Sequence, residues 1–420
     1  MGLQRDIVIT GSGVVSPIGV GLEAFAASLR AGRGGVRRLD WYADDGLPVP
    51  FGGAVVDFDP KQYVRPRKSL KVMSRDIQMA FAAADMAWTE SGLSAQQVDP
   101  ERLGVVFGAD MIPSDLEDLV PTYRAATVEG RFDFSRWGSA IAEMFPLWML
   151  KYLPNMPACH VAIAMDARGP NNSITMGDVS SLLAVCEAVR VIERGMADVL
   201  LVGGFGGYLN PTTWICLERF QLSRRSGEPE RACRPFDAER DGIVRGEGAA
   251  AMVFEDGRRA AARGARVLAR VLGFACAHEP SGRNRPPEGT AIRRAIAGAL
   301  ADAGMTAGEI GHVNAHGLST TREDAIEAQA IREVLGDVPV VAPKSYFGNL
   351  GAASGAVEMV VSLLALGEGE VPPTLNYETP DPQCPVNVVH GHPLRLTKPA
   401  ALLLNHTVFG QAVAVVIGAE

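Results

Sequence analysis

The chain has 420 residues, 47% hydrophobic and 21% charged, with 46 Gly, 27 Pro and a formal net charge of −8. So much apolar and so little charged sequence excludes a disordered chain, and the length suffices for a core without disulfides or structural metal. The acidic balance argues against nucleic acid as the main partner and leaves room only for local basic patches.

At roughly 100–200 residues per domain, this length corresponds to two to four domains or one large duplicated fold. The six cysteines (Cys159, Cys186, Cys216, Cys233, Cys276, Cys384) are scattered, without CxxC or other metal-ligand spacing. That usage fits buried thiols in a reducing compartment, so a cytoplasmic location is expected. No apolar signal core opens the chain, and no apolar run approaches the ~18 residues of a membrane span.

Ile7 to Thr10 is a β-rich run that Gly11-Ser-Gly13 is expected to turn toward a helix over Leu22–Ala31. Lys68 to Ser91 has helical periodicity, with Met73, Ile77, Phe81, Ala84 and Trp88 on one face. Leu103–Gly108 reads as a buried strand. Residues 110–160 are irregular and rich in aromatics and Met, which suits a pocket wall or a subunit contact. A helix is expected over Val179–Arg194 and a strand over Asp198–Gly203, with Gly203-Gly-Phe-Gly-Gly207 as flexible backbone after it.

A further strand is expected over Ala249–Phe254. Helices then follow near 289–303, 322–335 and 354–366, and strands at 310–315, 338–342, 400–405 and 412–418. Alternating strands and helices argue for α/β architecture with largely parallel sheets. A polar Arg/Ala stretch after Glu255 suggests two halves, residues 1–255 and 256–420.

Several candidate sites are weak. Gly11-Ser-Gly13 lacks the third glycine and the acidic partner of a dinucleotide fingerprint. His312 and His316 have HxxxH spacing but fall on a strand and a loop, so a metal site is not expected. His390-Gly-His392 reads as a surface loop, and a structural role is expected for His406.

Five segments together resemble the β-ketoacyl-ACP synthase (ketosynthase) family of the thiolase superfamily. Ile7-Val-Ile-Thr-Gly-Ser-Gly-Val-Val-Ser-Pro-Ile-Gly19 is similar to its VTGxGxxSPxG start. Residues 234–248, RPFDAERDGIVRGEG, match RPFDxxRDGFVxGEG, and residues 314–327, NAHGLSTTREDAIE, resemble NAHGTSTxxxDxxE. Residues 344–358, KSYFGNLGAASGAVE, resemble KSxxGHxxGAAGxxE, and Val371–Asn376 matches as well. The resemblance covers essentially the whole chain in order. It implies a thiolase-like α/β fold of two duplicated βαβαβαββ halves in a five-layered αβαβα sandwich. It also implies a dimer with its active site near the subunit interface, acyl carrier protein as partner, and no cofactor.

The family's condensing centre, by the same resemblance, is a Cys-His-His set. The Cys at a helix N-terminus takes the acyl chain as a thioester, because the dipole and free N–H groups favour a thiolate. Two His then polarise the malonyl carbonyl during decarboxylation. Aligning Gly169-Pro170 and Ser173-Ile174 with the family's GPxxSI puts Asp178 at the Cys position. His316 fits the first His, Asn349 stands at the second, and Lys344 and Glu327 fit the supporting Lys and Glu. A His and Asn pair is also used by the related type III synthases. The glycine loop GFGGTN becomes Val408-Phe-Gly-Gln-Ala-Val413, where Phe409 keeps the gating aromatic and Gln411 replaces a glycine.

A carboxylate is a weak acyl acceptor, since its product is a labile mixed anhydride. Ordinary Cys-dependent condensation is therefore not expected. Asp178 has a ready alternative as the N-cap of the following helix. Two functions follow. One is a non-condensing partner, like a chain-length factor, that pairs with an active ketosynthase. The other is an enzyme with altered chemistry on acyl or malonyl thioesters, decarboxylating or condensing without a Cys acyl-enzyme. The stretch Phe145–Met156 would fill the tunnel or line a long-chain cavity. Basic residues Arg33, Arg37, Arg38, Arg65, Arg67, Lys68, Lys71 and Arg75 cluster early, and part of this group, Arg65, Arg67, Lys68 and Lys71, is a candidate carrier-docking site.

Overall fold

The computed structural model describes residues 6–40, 51–216, 221–282 and 286–419, without the side chains of 214–216. Its centre is one mixed sheet. In spatial order the strands are Asn387–Val388, Pro339–Val341, His312–Asn314, Ala400–His406, Gln411–Gly418 and Ala269–His278, then Ile7–Ser16, Glu247–Asp256, Val199–Gly207, Leu103–Ala109 and Asn171–Thr175. Strands of residues 269–418 fill one side and those of 7–256 the other. The seam is short, Ile7–Ile9 against Ala269–Val271.

Two helices, Ser180–Glu193 and Ser354–Glu368, lie between the two sides. Val185, Val189, Val357 and Val360 join both sides in one core with Met252, Leu403 and Val415. Outside one half lies Arg75–Glu90, with Ile77 and Phe81 against Phe107 and Val253. Outside the other lie Thr290–Ala303 and Glu323–Leu335, with Ile296 and Ile331 against Val313 and Leu402. Helix, sheet, helix pair, sheet, helix is the five-layered thiolase-like sandwich. The stretch Gly351–Glu368, long and apolar enough by itself to cross a membrane, is 78% buried within these layers.

Several expectations need correction. The sheet is parallel only at its two wings, and antiparallel from Val199–Gly207 through Ile7–Ser16 to Ala400–His406. Gly11 and Gly13 are no turn: the strand runs unbroken to Ser16 with a bulge after Ile9. Their glycines admit the helix Arg75–Glu90, since a Cβ on Gly13 would lie 2.2 Å from the Ala83 carbonyl oxygen. Gly203–Gly207 is likewise strand, with a Cβ on Gly203 falling 2.3 Å from the Ala250 carbonyl. The strand Ala269–His278 was not expected at all. The helical pattern from Lys68 divides into a 3-10 segment, Arg67–Val72, and the helix proper from Arg75, capped by Ser74.

Candidate active site

His316 sits in the loop after the strand His312–Asn314, and this loop is fixed mainly by carboxylates of the next helix. Glu327 accepts the backbone N–H groups of His316 (2.6 Å) and Gly317 (2.8 Å). Asp324 accepts those of Ser319 (3.1 Å) and Thr320 (3.2 Å). Arg240, from the RPFDAERDG stretch, donates to the carbonyls of Thr320 and Thr321, both at 2.8 Å. That stretch therefore works as scaffolding for the histidine loop.

The imidazole is oriented from behind. Lys344 Nζ approaches His316 Nδ1 at 3.0 Å, donates to its carbonyl at 2.8 Å and pairs with Glu358 at 2.5 Å. Asn405 Nδ2 approaches the same Nδ1 at 3.2 Å and donates to Glu358 Oε2 at 2.7 Å. Two donors converge on Nδ1, so Nδ1 accepts and the ring proton resides on Nε2. Burial, with Lys344 and His406 adding to it, holds the His316 pKa well below its ordinary value, so the ring is neutral. Its Nε2 is buried and meets no hydrogen-bond acceptor among the described residues.

What faces Nε2 is Asp178, with Oδ2 at 3.9 Å, beyond hydrogen-bond distance. Its Oδ1 accepts from Asn349 Nδ2 at 3.2 Å. The Asn349 carboxamide has one orientation, because Oδ1 already accepts from Gly351 N (3.1 Å) and Ser354 Oγ (3.0 Å). Asp178 is not the helix cap. It lies in a 3-10 turn, Gly177–Val179, ahead of the helix, and its side chain caps neither element. Ser180 closes that turn instead, accepting from Met176 N and donating to the Gly177 carbonyl. Burial raises the Asp178 pKa, against lowering by Lys344 and Asn349, and Asp110 adds to the rise.

A cavity of about 710 Å³ reaches this carboxylate, walled by Met111, Ile112, Leu119, Met176, Val408 and Phe409 with Asp110 and Tyr208. A second, smaller chamber, about 50 Å³, is also lined by Asp178, together with Tyr208, Arg245, Asn349 and apolar Leu222, Ile243, Leu318 and Val408. His316 is 0% exposed while the Asp178 side chain is 20% exposed. Asp178 thus stands between the large cavity and the histidine.

Five predicted residues come together: His316, Lys344 and Glu327 share one hydrogen-bonded group, and the hydrogen-bonded pair Asp178 and Asn349 faces it across 3.9 Å. Phe409 is half exposed at the cavity wall, and Gln411 begins the last strand with its side-chain oxygen accepting the Thr407 hydroxyl. Arg65, Arg67, Lys68 and Lys71 are exposed in and just before Arg67–Val72, away from the cluster's hydrogen bonds. None of the cavity's lining comes from Phe145–Met156, so that stretch does not fill it. Its Phe145, Leu147 and Met149 are exposed, and Trp148 and Tyr152 pack on the core. Sequence reasoning missed Asn405, Glu358, Tyr208 and Asp110, whose hydroxyl–carboxylate bond is 2.6 Å. It also gave His406 a structural role. His406 packs edge-on against the His316 ring, 4.6 Å between centroids. Among the described residues, no group of three or more His, Cys, Asp or Glu is placed to hold a metal.

This fold defines a thiolase-like protein, with a buried histidine behind Asp178 at a cavity of about 710 Å³. The chain belongs to the β-ketoacyl synthase family: residues 4–260 match its N-terminal domain and residues 268–378 its C-terminal domain. It is 36% identical to a putative polyketide β-ketoacyl synthase 1 of Streptomyces cyaneus, over 92% of each chain. It is 31% identical to the 3-oxoacyl-(acyl-carrier-protein) synthase 2 of a Synechocystis strain, covering 95% of this chain and 94% of that one. Among solved structures it resembles the ishigamide ketosynthase/chain length factor, with TM-score 0.85, 29% identity and 99% of each chain covered.

Proposed function

We propose that this chain is a non-condensing member of the ketosynthase family, acting as a chain-length-factor-like partner of an active ketosynthase in fatty-acid or polyketide synthesis. The motif alignment puts Asp178 at the family's nucleophile position, where a carboxylate cannot sustain a thioester relay. The observation that carries this reading is the Asn349–Asp178 hydrogen bond, which holds a carboxylate in front of His316 Nε2, with Oδ2 3.9 Å away. The two halves, 1–255 and 256–420, act here as one duplicated unit. Pairing would use the region 110–176, where Met111, Phe134 and Ile163 are each more than three-quarters exposed beside the edge strand Asn171–Thr175. A structural relative is titled as a ketosynthase/chain length factor, which supports the pairing. Acyl carrier protein would dock on Arg65, Arg67, Lys68 and Lys71, since an acidic chain needs a local basic patch to meet an acidic carrier.

The test is incubation with malonyl-loaded carrier protein, alone and with a ketosynthase encoded beside it. The expected result is no condensation by the chain alone, co-purification of the two, and product length that changes when cavity residues such as Leu119 are altered. Condensation by the chain alone would refute the reading. One observation favours a second reading, decarboxylation without condensation. His316 Nε2–H and Asn349 Nδ2 both point at Asp178, so an enolate oxygen placed there would meet two donors. CO₂ release by the chain alone, abolished in His316→Ala, would establish it.

A further inference from the structure

Asp178 does more than close off His316, because it lines two spaces of different size. One is the cavity of about 710 Å³, walled in large part by apolar side chains and large enough for an acyl group with part of its thioester arm. The other is the chamber of about 50 Å³, where Asp178, Tyr208, Arg245 and Asn349 meet. A water needs roughly 10–15 Å³ of such volume and two to four polar partners, so this chamber accommodates a few waters and no acyl chain. The third element is the buried His316 Nε2–H, a donor with no hydrogen-bond acceptor among the described residues and 3.9 Å from Asp178 Oδ2.

We propose that Asp178 makes this chain an acyl-thioester hydrolase: its carboxylate activates a water from the small chamber against a thioester carbonyl presented from the large cavity. Asn349 fixes the carboxylate through Oδ1, which leaves Oδ2 as the base. Oδ2 takes a proton from the water as its oxygen forms the new C–O bond, and the carbonyl electron pair moves onto oxygen. That oxyanion is the acceptor His316 Nε2–H lacks. Collapse restores the carbonyl and breaks the C–S bond, and the departing thiolate takes the proton held by Asp178. Thioester and water give carboxylic acid and thiol, with no other reactant. The inference goes beyond the partner role, because it requires no second subunit.

The experiment uses the purified full chain with octanoyl-N-acetylcysteamine and follows free thiol. The expected result is catalysed thiol release that falls at least 100-fold in Asp178→Asn, a variant that keeps an oxygen for Asn349. It should fall similarly in His316→Ala, and not at all in Cys276→Ser, which removes an exposed thiol. Cooperative melting at a Tm no lower than that of the unmodified chain shows that the variants fold. A single turnover in ¹⁸O-water should place the label in the released acid and none in the protein. No release above the buffer blank, release indifferent to Asp178→Asn, or label in the Asp178 side chain would each overturn the proposal. None of these outcomes bears on co-purification or product length, which test the partner role separately.

Discussion

Asn349 Nδ2 donates to Asp178 Oδ1 at 3.2 Å, joining two residues 171 positions apart that the motif comparison marks, one by one, as departures. The bond makes them one unit. Asn349 can offer only its amide N–H₂ toward the site, because Gly351 and Ser354 hold its oxygen, and a carboxylate is the matching acceptor. Restoring a thiol at position 178 alone would leave that donor facing a poor acceptor. The Asp178→Cys variant is expected to react slowly with iodoacetamide, and Asp178→Cys/Asn349→His several-fold faster, since an imidazole supports a thiolate. Mass spectrometry of the labelled peptide measures both.

Asp178 also sets a sign for stability. Its folded pKa is raised by burial, so the favourable contribution exists below the unfolded value and is lost as pH rises through the folded one. As pH rises past the unfolded value, keeping this group buried costs progressively more. Asp178→Asn is therefore expected to raise Tm at pH 7.5, with the gain shrinking toward pH 4. Paired calorimetric melts at the two pH values check it.

His312 behaves in the opposite sense. Burial lowers its pKa to about 4. Its contribution is complete above the unfolded value of about 6.5 and fades as pH falls toward the folded one, by up to about 3 kcal/mol. Denaturant titrations between pH 7 and 4 should show a shallower loss for His312→Gln than for the unmodified chain.

Lys344 and Glu358 form a pair with both side chains at most 2% exposed. Lys344→Met would leave Glu358 buried without its cation, a cost of roughly 3–5 kcal/mol. Lys344→Met/Glu358→Gln should recover much of that loss in urea unfolding. Neither variant is expected to keep His316 oriented.

Gly13 lies where a Cβ would stand 2.2 Å from the Ala83 carbonyl oxygen, whereas a Cβ on Gly138 would meet nothing within 4 Å. Gly13→Ala should force the helix Arg75–Glu90 off the sheet and cost about 1–3 kcal/mol. Gly138→Ala, in a short helix, should be neutral or stabilising by about 0.5 kcal/mol. Thermal melts of the two variants give the comparison.

The same glycines show what a sequence can and cannot convey. Gly11-Ser-Gly13 looks like a turn because glycine is read locally, yet its reason is a helix packed 70 residues later in the chain, by way of Ala83 and Ala87. His316, Lys344 and Glu327 were legible because each stands in a long motif with its neighbours. Asn405 was not, since it meets His316 from 89 positions away and lies in a run of plain strand residues. Alignment marks Asp178, and its reading as the helix cap does not hold. A 3-10 turn precedes the helix, and Ser180, not Asp178, satisfies its backbone. Ala269–His278 escaped because alanines and a glycine dilute its alternation, and only its pairing with Ile7–Ile9 and Gln411–Gly418 makes it a strand.

Among the described residues, the edge strand Asn171–Thr175 has a neighbour on one side only, Leu103–Ala109. Three residues beyond its end comes Asp178. A second subunit adding its own strand to that edge would grip the tether of the residue that guards the histidine, and would feel any ligand that pushes Asp178 aside. Assembly and the state of the site would then be read through the same short piece of backbone, so a ligand in one subunit could be sensed at the seam before any product leaves.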